Sequence, residues 1–169
     1  GAISAAGDFN SFSQNGTAGN VSLDAAVGID IANIRSEGAQ QGGSIEITSD
    51  ANLDFSQTTL NSYSANGTAG DVTIKAAGNI TLGENANNSA IRSEGAQVGG
   101  NIDITSDNGT ITAAGDLNSF SQNGTAGDVT LDAATGIDIA NIRSEGAKVG
   151  GDITVTTGGT FTSDTINSY

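Results

Sequence analysis

The side chains in this chain that could do chemistry are mainly carboxylates. Nineteen Asp and Glu residues stand against five Lys and Arg, which gives a net charge of −14, and the 169 residues include no Cys, His, Met, Trp or Pro. This composition excludes disulfides, thiolate and imidazole metal sites, and cysteine or histidine catalysis. The chain also lacks the clustered cations that bind phosphates, so we expect neither nucleic acid nor an anionic membrane surface as a partner.

Carboxylates catalyse glycoside cleavage when two of them are held in one cleft in unlike environments. Here the acids recur with the sequence itself, since residues 1–50 are nearly copied at 109–158. We therefore expect no enzyme. The alternative is a carbohydrate-binding or carbohydrate-active β-helix, because pectin-cleaving enzymes of that architecture use Asp clusters.

The Gly-x-Ala-Gly stretches, two of which continue into Asp, resemble weakly the tandem glycine-aspartate repeats that chelate calcium between adjacent turns. They begin at Gly16, Gly67 and Gly124, and are therefore not in tandem. We expect no cofactor, although the excess of carboxylates could attract calcium weakly. The Asn-Gly-Thr triplets that overlap these stretches predict tight corners in preference to glycosylation sites.

Short strands must position all of these side chains. Alternating aliphatic residues predict a first strand at Val21/Leu23, Ile45/Ile47, Val72/Ile74, Ile102/Ile104, Val129/Leu131 and Ile153/Val155. Each follows either an NGTAG corner or a double glycine. A second strand follows at Ile29/Ile31, Leu53/Phe55, Ile80/Leu82, Ile111, Ile137/Ile139 and Phe161, with Ile3 as an earlier equivalent. A third strand, reading FNSF, IRSE, LNSY, IRSE, LNSF, IRSE and INSY, begins at Phe9, Ile34, Leu60, Ile91, Leu117, Ile142 and Ile166.

Three short strands and three corners in about 26 residues describe one coil of a parallel β-helix, in which each strand pairs with its equivalent in the next coil. We predict an all-β parallel β-helix (β-solenoid) of six to seven coils with no caps. Residues 1–169 form a single segment, which we expect to be an internal part of a longer repetitive shaft. The sequence GENANNS at Gly83 to Ser89 predicts a protruding loop.

The third strand predicts which side chains face inward. Alternation places a column of serines inside, where each hydroxyl must bond either its neighbour or a main-chain group. This inner serine ladder consists of Ser11, Ser36, Ser62, Ser93, Ser119, Ser144 and Ser168.

The outer side of the third strand is a candidate lateral or ligand surface. It carries the aromatic residues Phe12, Tyr63, Phe120 and Tyr169 on alternate coils, with the pairs Arg35/Glu37, Arg92/Glu94 and Arg143/Glu145 between them. Four exposed rings about 9.6 Å apart suit contact between shafts or stacking on sugars. The competing interpretation is that each ring folds over a corner and shields aliphatic stems. The Arg and Glu of one coil can pair, but exposed pairs contribute only about 0–1 kcal/mol.

The G-x-A-G-[ND]-[VI]-[ST]-[LI] units at Gly16 to Leu23, Gly67 to Ile74 and Gly124 to Leu131, with the interleaved G-G-x-I-x-I-T units, resemble the repeats of filamentous-haemagglutinin-like exoproteins. These are large bacterial adhesins of the two-partner secretion type. The resemblance implies a right-handed β-helix, secretion to the cell surface, and a part in adhesion, aggregation or biofilm. The expected partners are further copies, joined end to end or laterally into fibres, or a surface polysaccharide.

Overall fold

A computed structural model describes all of residues 1–169 and contains eighteen β-strands and no helix. The first strands are β3 (Val21–Ala25), β6 (Ile45–Ser49), β9 (Val72–Ala76), β12 (Ile102–Ser106), β15 (Val129–Ala133) and β17 (Ile153–Thr157). The second strands are β1 (Ile3–Ala5), β4 (Ile29–Ile31), β7 (Leu53–Phe55), β10 (Ile80–Leu82) and β13 (Thr110–Ala113). The third strands are β2 (Phe9–Ser13), β5 (Ile34–Gly38), β8 (Leu60–Ser64), β11 (Ser89–Gly95) and β14 (Asp116–Ser121). Two longer strands, β16 (Gly136–Gly146) and β18 (Thr160–Ser168), run through the second and third positions together.

All strand pairs are parallel and join equivalent positions of successive coils. The first strands form one six-stranded sheet, and the third strands form most of a ten-stranded sheet that reaches the second strands through β16. Within the first sheet, Ile45 lies opposite both Val21 and Val72. The predicted β-solenoid is thus confirmed, with coils of about 26 residues and about six turns.

The ladder of second strands is interrupted at one place. β1 pairs only with β4, and no ladder joins β4 to β7. There the Thr58 hydroxyl, which is buried, donates a hydrogen bond to the Ile31 carbonyl at 2.7 Å. A side chain thus supplies a partner for a carbonyl that would otherwise be buried without one.

The core is a continuous column of small and branched aliphatic side chains. Twenty-eight buried residues form one cluster, among them Ile45, Ile74 and Ile104 from the first sheet. Phe55 is the largest fully buried side chain. Aliphatic residues suit this narrow interior because each packs on its equivalent in the coils above and below, about 4.8 Å away.

The inner serine ladder is hydrogen-bonded to main chain and not from hydroxyl to hydroxyl. The Ser62 hydroxyl donates to the Gly43 carbonyl at 3.0 Å and accepts the Gly70 amide at 2.8 Å. Similarly, Ser144 donates to Gly127 at 2.8 Å and accepts from Gly151 at 2.7 Å. Ser36 and Ser119 make the same two bonds, so these four serines connect the glycine corner of their own coil to that of the preceding coil.

Burial of the ladder depends on position along the solenoid. The five interior members, Ser36, Ser62, Ser93, Ser119 and Ser144, are completely buried. Ser11 is half-buried and Ser168 is exposed. Both lie in terminal coils, which have a neighbouring coil on one side only.

The two coil types differ in how they turn the corner after the third strand. In NGTAG coils the ladder serine and the glycine amide that it binds are eight residues apart, as in Ser62 and Gly70, whereas in double-glycine coils they are seven apart, as in Ser36 and Gly43. At the end of the strand, the hydroxyl of Ser64 accepts the Gly67 amide at 3.0 Å. The equivalent residue in the shorter corner is Gly38, where a Cβ would lie 1.9 Å from the Gln41 carbonyl oxygen. The shorter corner therefore requires glycine on steric grounds.

The predicted loop at Gly83 to Ser89 is confirmed with narrower limits. Glu84 and residues 86–88 are exposed, whereas Gly83 and Ser89 are buried and Ser89 begins β11. The Asn85 side chain accepts the amides of Asn87 at 2.8 Å and Ser89 at 3.1 Å. These bonds close a compact turn, in which Asn88 adopts the left-handed conformation at a φ of 60°.

Candidate interaction face

The outward side chains of the third strands form two parallel columns, which we call the strand-3 face. Backbone pairing fixes their register, since Arg35 lies beside Asn61 and Glu37 beside Tyr63. The first column is Asn10, Arg35, Asn61, Arg92, Asn118, Arg143 and Asn167, and the second is Phe12, Glu37, Tyr63, Glu94, Phe120, Glu145 and Tyr169.

The aromatic rings of the second column differ in exposure. Phe12 is 72% exposed, Tyr169 is 70% exposed and Tyr63 is 36% exposed. The expectation of four exposed rings is wrong for Phe120, which is half-buried. Phe120 lies between Glu94 and Glu145 of the adjacent coils.

The glutamates are held by amides of the next coil more regularly than by arginines of their own coil. Asn61 donates to Glu37 at 2.7 Å, and the equivalent bond from Asn118 to Glu94 is also 2.7 Å. Asn167 donates to Glu145 at 3.1 Å. Alternation of Asn and Arg thus allows each glutamate to accept a neutral donor from the following coil.

The three predicted Arg–Glu pairs behave differently. Arg92 and Glu94 form a hydrogen-bonded ion pair. This hydrogen bond is the main cause of the raised pKa of Arg92. Arg143 lies instead 3.6 Å from the carboxylate of Asp116, which belongs to the preceding coil. Arg35 makes no ion pair and no side-chain hydrogen bond, so its charge faces solvent. Pairing within the coil is therefore confirmed for one pair and wrong for the other two.

Tyr63 and Arg92 are neighbours on adjacent coils. The guanidinium carbon of Arg92 lies 6.0 Å from the centre of the Tyr63 ring. This distance is at the outer limit of a cation–π contact. The ring and the ion pair of Arg92 thus form one connected group in the middle of the face.

The strand-3 face is electrically neutral on a strongly acidic molecule. Its three Arg and three Glu cancel, so the other two cations and sixteen carboxylates carry the whole net charge of −14. Neutrality and exposed aromatic rings coincide here. Such a combination favours contact with another surface, since desolvation is least costly where charge is balanced.

A polar groove follows the bend between the second and third strands, and sequence reasoning missed it. Its volume is about 690 Å³, and hydroxyl groups of Thr81, Thr112 and Thr162 line it together with Asp138, Asp164 and Glu84. The exposed loop at Glu84 borders one end. The variable spacing between second and third strands could have indicated the groove. Two residues separate Ile31 from Ile34, but eight separate Leu82 from Ile91.

No group of three or more Asp and Glu side chains converges in a way that could hold a metal ion. Weak attraction of calcium is therefore a prediction from net charge alone. The structure also contains no helix of the length and apolarity needed to cross a bilayer.

Comparison of the chain with protein-family models, with curated proteins and with solved structures gives no match in any of the three.

Proposed function

We propose that this chain is a structural segment of an extracellular shaft or fibre on a bacterial surface, where it supports adhesion, aggregation or biofilm formation. The observation that carries the proposal is the uniformity of the coils. Successive coils repeat the same strand positions, and every ladder serine makes at least one hydrogen bond to a glycine main-chain group, so the chain builds length by repetition.

Three further features support a shaft. The carboxylates are spread along the rod by the repeat and do not converge. Main-chain hydrogen bonds run along the axis and join every coil to the next, which suits a load-bearing element. The absence of Cys from the sequence suits a surface protein that needs no disulfides, and the resemblance to adhesin repeats supplies the secreted location.

A second candidate function is carbohydrate binding in the polar groove. Hydroxyl and carboxylate groups are suitable partners for sugar hydroxyls, and the groove is large enough for a short oligosaccharide. Replacing Thr112 at its centre by Arg fills the groove without touching the core. Loss of binding to a surface polysaccharide in this variant, and not in Thr130→Arg on the first sheet, supports this candidate.

The shaft proposal is tested by labelling the source cells with antibodies raised against the 169-residue segment. We expect intact cells to be labelled, and electron microscopy to show the label along thin filaments that project from the surface. Protease treatment of intact cells removes the signal if the segment is extracellular. Labelling that appears only after permeabilisation contradicts the proposal.

A further inference from the structure

The strand-3 face has the geometry of a surface that pairs with itself. We propose that two copies of the shaft lie side by side through this face, with parallel axes and a two-fold axis running along the shafts. This inference rests on the proposed shaft function, since it describes how such shafts join laterally.

Charge selects this face over the other sides of the molecule. Outward residues of the second strands include Asp30, Asp54 and Asp138, and those of the first strands include Glu46 and Asp103, so two copies meeting there bring like charges together. The strand-3 face carries three Arg and three Glu and has no net charge. It is the side on which two copies approach without net repulsion.

The order of the two columns selects the orientation. A two-fold axis parallel to the shafts exchanges the columns and keeps each coil level with its equivalent. Arg35 of one copy then lies opposite Glu37 of the other, and Asn61 lies opposite Tyr63. The antiparallel arrangement places each column opposite itself, so that Arg meets Arg or Asn and no Arg faces a Glu. Charge complementarity therefore favours parallel shafts.

The surface beside Glu37 already has a recess for the incoming arginine. A shallow apolar space of about 170 Å³ lies between Phe12 and Tyr63, with Glu37 at its side and Ala39 and Ala65 among its lining. Arg35 of the second copy enters this space between the two rings. Its guanidinium can pair with Glu37, while the rings cover its aliphatic stem.

Arg35 and Glu37 are the members best prepared for an intermolecular pair. Arg35 has no partner within its own chain, and Glu37 uses only Oε1, to accept Asn61 at 2.7 Å. The same exchange recurs at Arg92 with Glu94 and at Arg143 with Glu145. At those levels, contacts within the chain compete with it.

Two copies of this segment alone should pair weakly, because the contact area between them is small. Third strands of about 16 Å, stacked in seven coils about 4.8 Å apart, give a face of roughly 500 Å² per copy, near the lower end of specific interfaces. Each added coil of a longer shaft extends the same contact. The strength of lateral pairing therefore grows with the length of the shaft.

Analytical ultracentrifugation of the 169-residue chain tests the proposal, from roughly 1 μM to roughly 1 mM. We expect a monomer–dimer equilibrium. The triple variant Arg35→Glu/Arg92→Glu/Arg143→Glu and the triple variant Glu37→Arg/Glu94→Arg/Glu145→Arg should each pair with themselves at least about tenfold more weakly. An equimolar mixture of the two should recover a one-to-one dimer.

A matched control separates the face from total charge. Asp30→Arg/Asp54→Arg/Asp138→Arg changes the net charge as much as the Glu→Arg variant does, on the second strands, and should preserve self-pairing. Circular dichroism of each variant verifies that the β-solenoid is intact. If the wild-type chain is monomeric throughout the range, or if the control loses pairing as strongly as the face variants, the proposal is overturned.

Orientation is read by cysteine cross-linking, since the natural chain has no Cys. A mixture of Asn118→Cys and Phe120→Cys should oxidise to a heterodimer, because the parallel two-fold places these positions opposite each other. A fully overlapped antiparallel pair reverses the order of the coils and places Asn118 opposite Asn61. Predominant cross-linking of Asn118→Cys with Asn61→Cys therefore indicates antiparallel shafts and overturns the proposal. Binding of a soluble oligosaccharide that requires Tyr63, by a chain that stays monomeric, assigns the face to sugars instead. None of these outcomes depends on surface labelling, so pairing and shaft function can fail separately.

Discussion

The two sides of the third strand repeat with different periods. On the inner side, serine recurs in every coil, as in Ser62 and Ser93, whereas on the outer side Asn alternates with Arg and aromatic residues alternate with Glu. Every inner serine bonds at least one glycine main-chain group, and Ser62 bonds two, so the inner position keeps the same residue. The outer residue must avoid a like charge about 4.8 Å away, and alternation doubles that distance. The inside of this strand is constrained by its hydrogen bonds and the outside by its charges.

The largest effect is expected on the inner side. Ser62→Ala leaves the Gly43 carbonyl and the Gly70 amide without their partner in a region that excludes water. Each orphaned group costs about 1–3 kcal/mol, so we expect the free energy of unfolding in urea to fall by about 2–6 kcal/mol. The control is Asn61→Ala, one residue away on the outer side. If Ser62→Ala lowers the free energy of unfolding no more than Asn61→Ala does, the inner side of the strand is not more constrained than the outer side.

Gly38 ends strand β5, where the shorter corner begins. Gly38→Ala places a Cβ 1.9 Å from the Gln41 carbonyl oxygen, so the corner must shift. Overpacking of this kind costs about 1–3 kcal/mol, to be measured by urea unfolding. Gly28→Ala is the matched control, because a Cβ there has no neighbour within 4 Å. If Gly38→Ala and Gly28→Ala are equally stable, steric contact does not explain why the shorter corner has glycine where the longer corner has serine.

The sequence predicted those parts of the fold that depend on the two-residue alternation within a strand and on the repeat from coil to coil. Alternation of apolar residues located the strands, and alignment of the repeats placed Ile34 and Ser36 inside and Arg35 outside, as the structure has them. Both inferences need only the fixed geometry of a strand and its neighbour at about 4.8 Å.

Features set by the corners could not be read from the sequence. The groove, the Thr58 bond to Ile31 and the pairing of Arg143 with Asp116 all depend on where loops of unequal length bring the chain. The alternation predicted an exposed aromatic stripe but not the partial burial of Phe120.

A smaller effect is expected on the outer side. Arg92→Gln removes the ion pair with Glu94 at a partly exposed position. The expected loss is about 0.5–1 kcal/mol in the free energy of unfolding. Arg35→Gln, which breaks no bond within the chain, should lose less. Because the pKa of Arg92 is raised above its already high value, the difference should stay constant from neutral pH to moderately alkaline pH. If Arg92→Gln lowers the free energy of unfolding as much as Ser62→Ala does, the proposed difference between the inner and outer sides of the strand is wrong.

The smallest expected effect is the contribution of Asp54 to the pH dependence of stability in acid. The amide of Ser56 donates to this carboxylate at 3.0 Å, and this backbone bond is the main cause of the lowered pKa of Asp54. A lowered pKa in the folded state contributes stability above the unfolded pKa, and that contribution is lost as the pH falls through the folded value. Since the group is largely exposed, we expect a slight loss. Comparing thermal melts of the wild type and Asp54→Asn in acid measures it, and an identical pH profile in both contradicts the assignment.

X-ray fibre diffraction from native material is the most direct test of the two periods. We expect a strong axial reflection near 4.8 Å from the stacked coils, and a weaker one near 9.6 Å from the alternation of NGTAG and double-glycine coils. Electron microscopy of the same material should show long thin fibres. Compact particles with no axial repeat would contradict the shaft, and a 4.8 Å reflection without the doubled spacing would contradict the alternating surface.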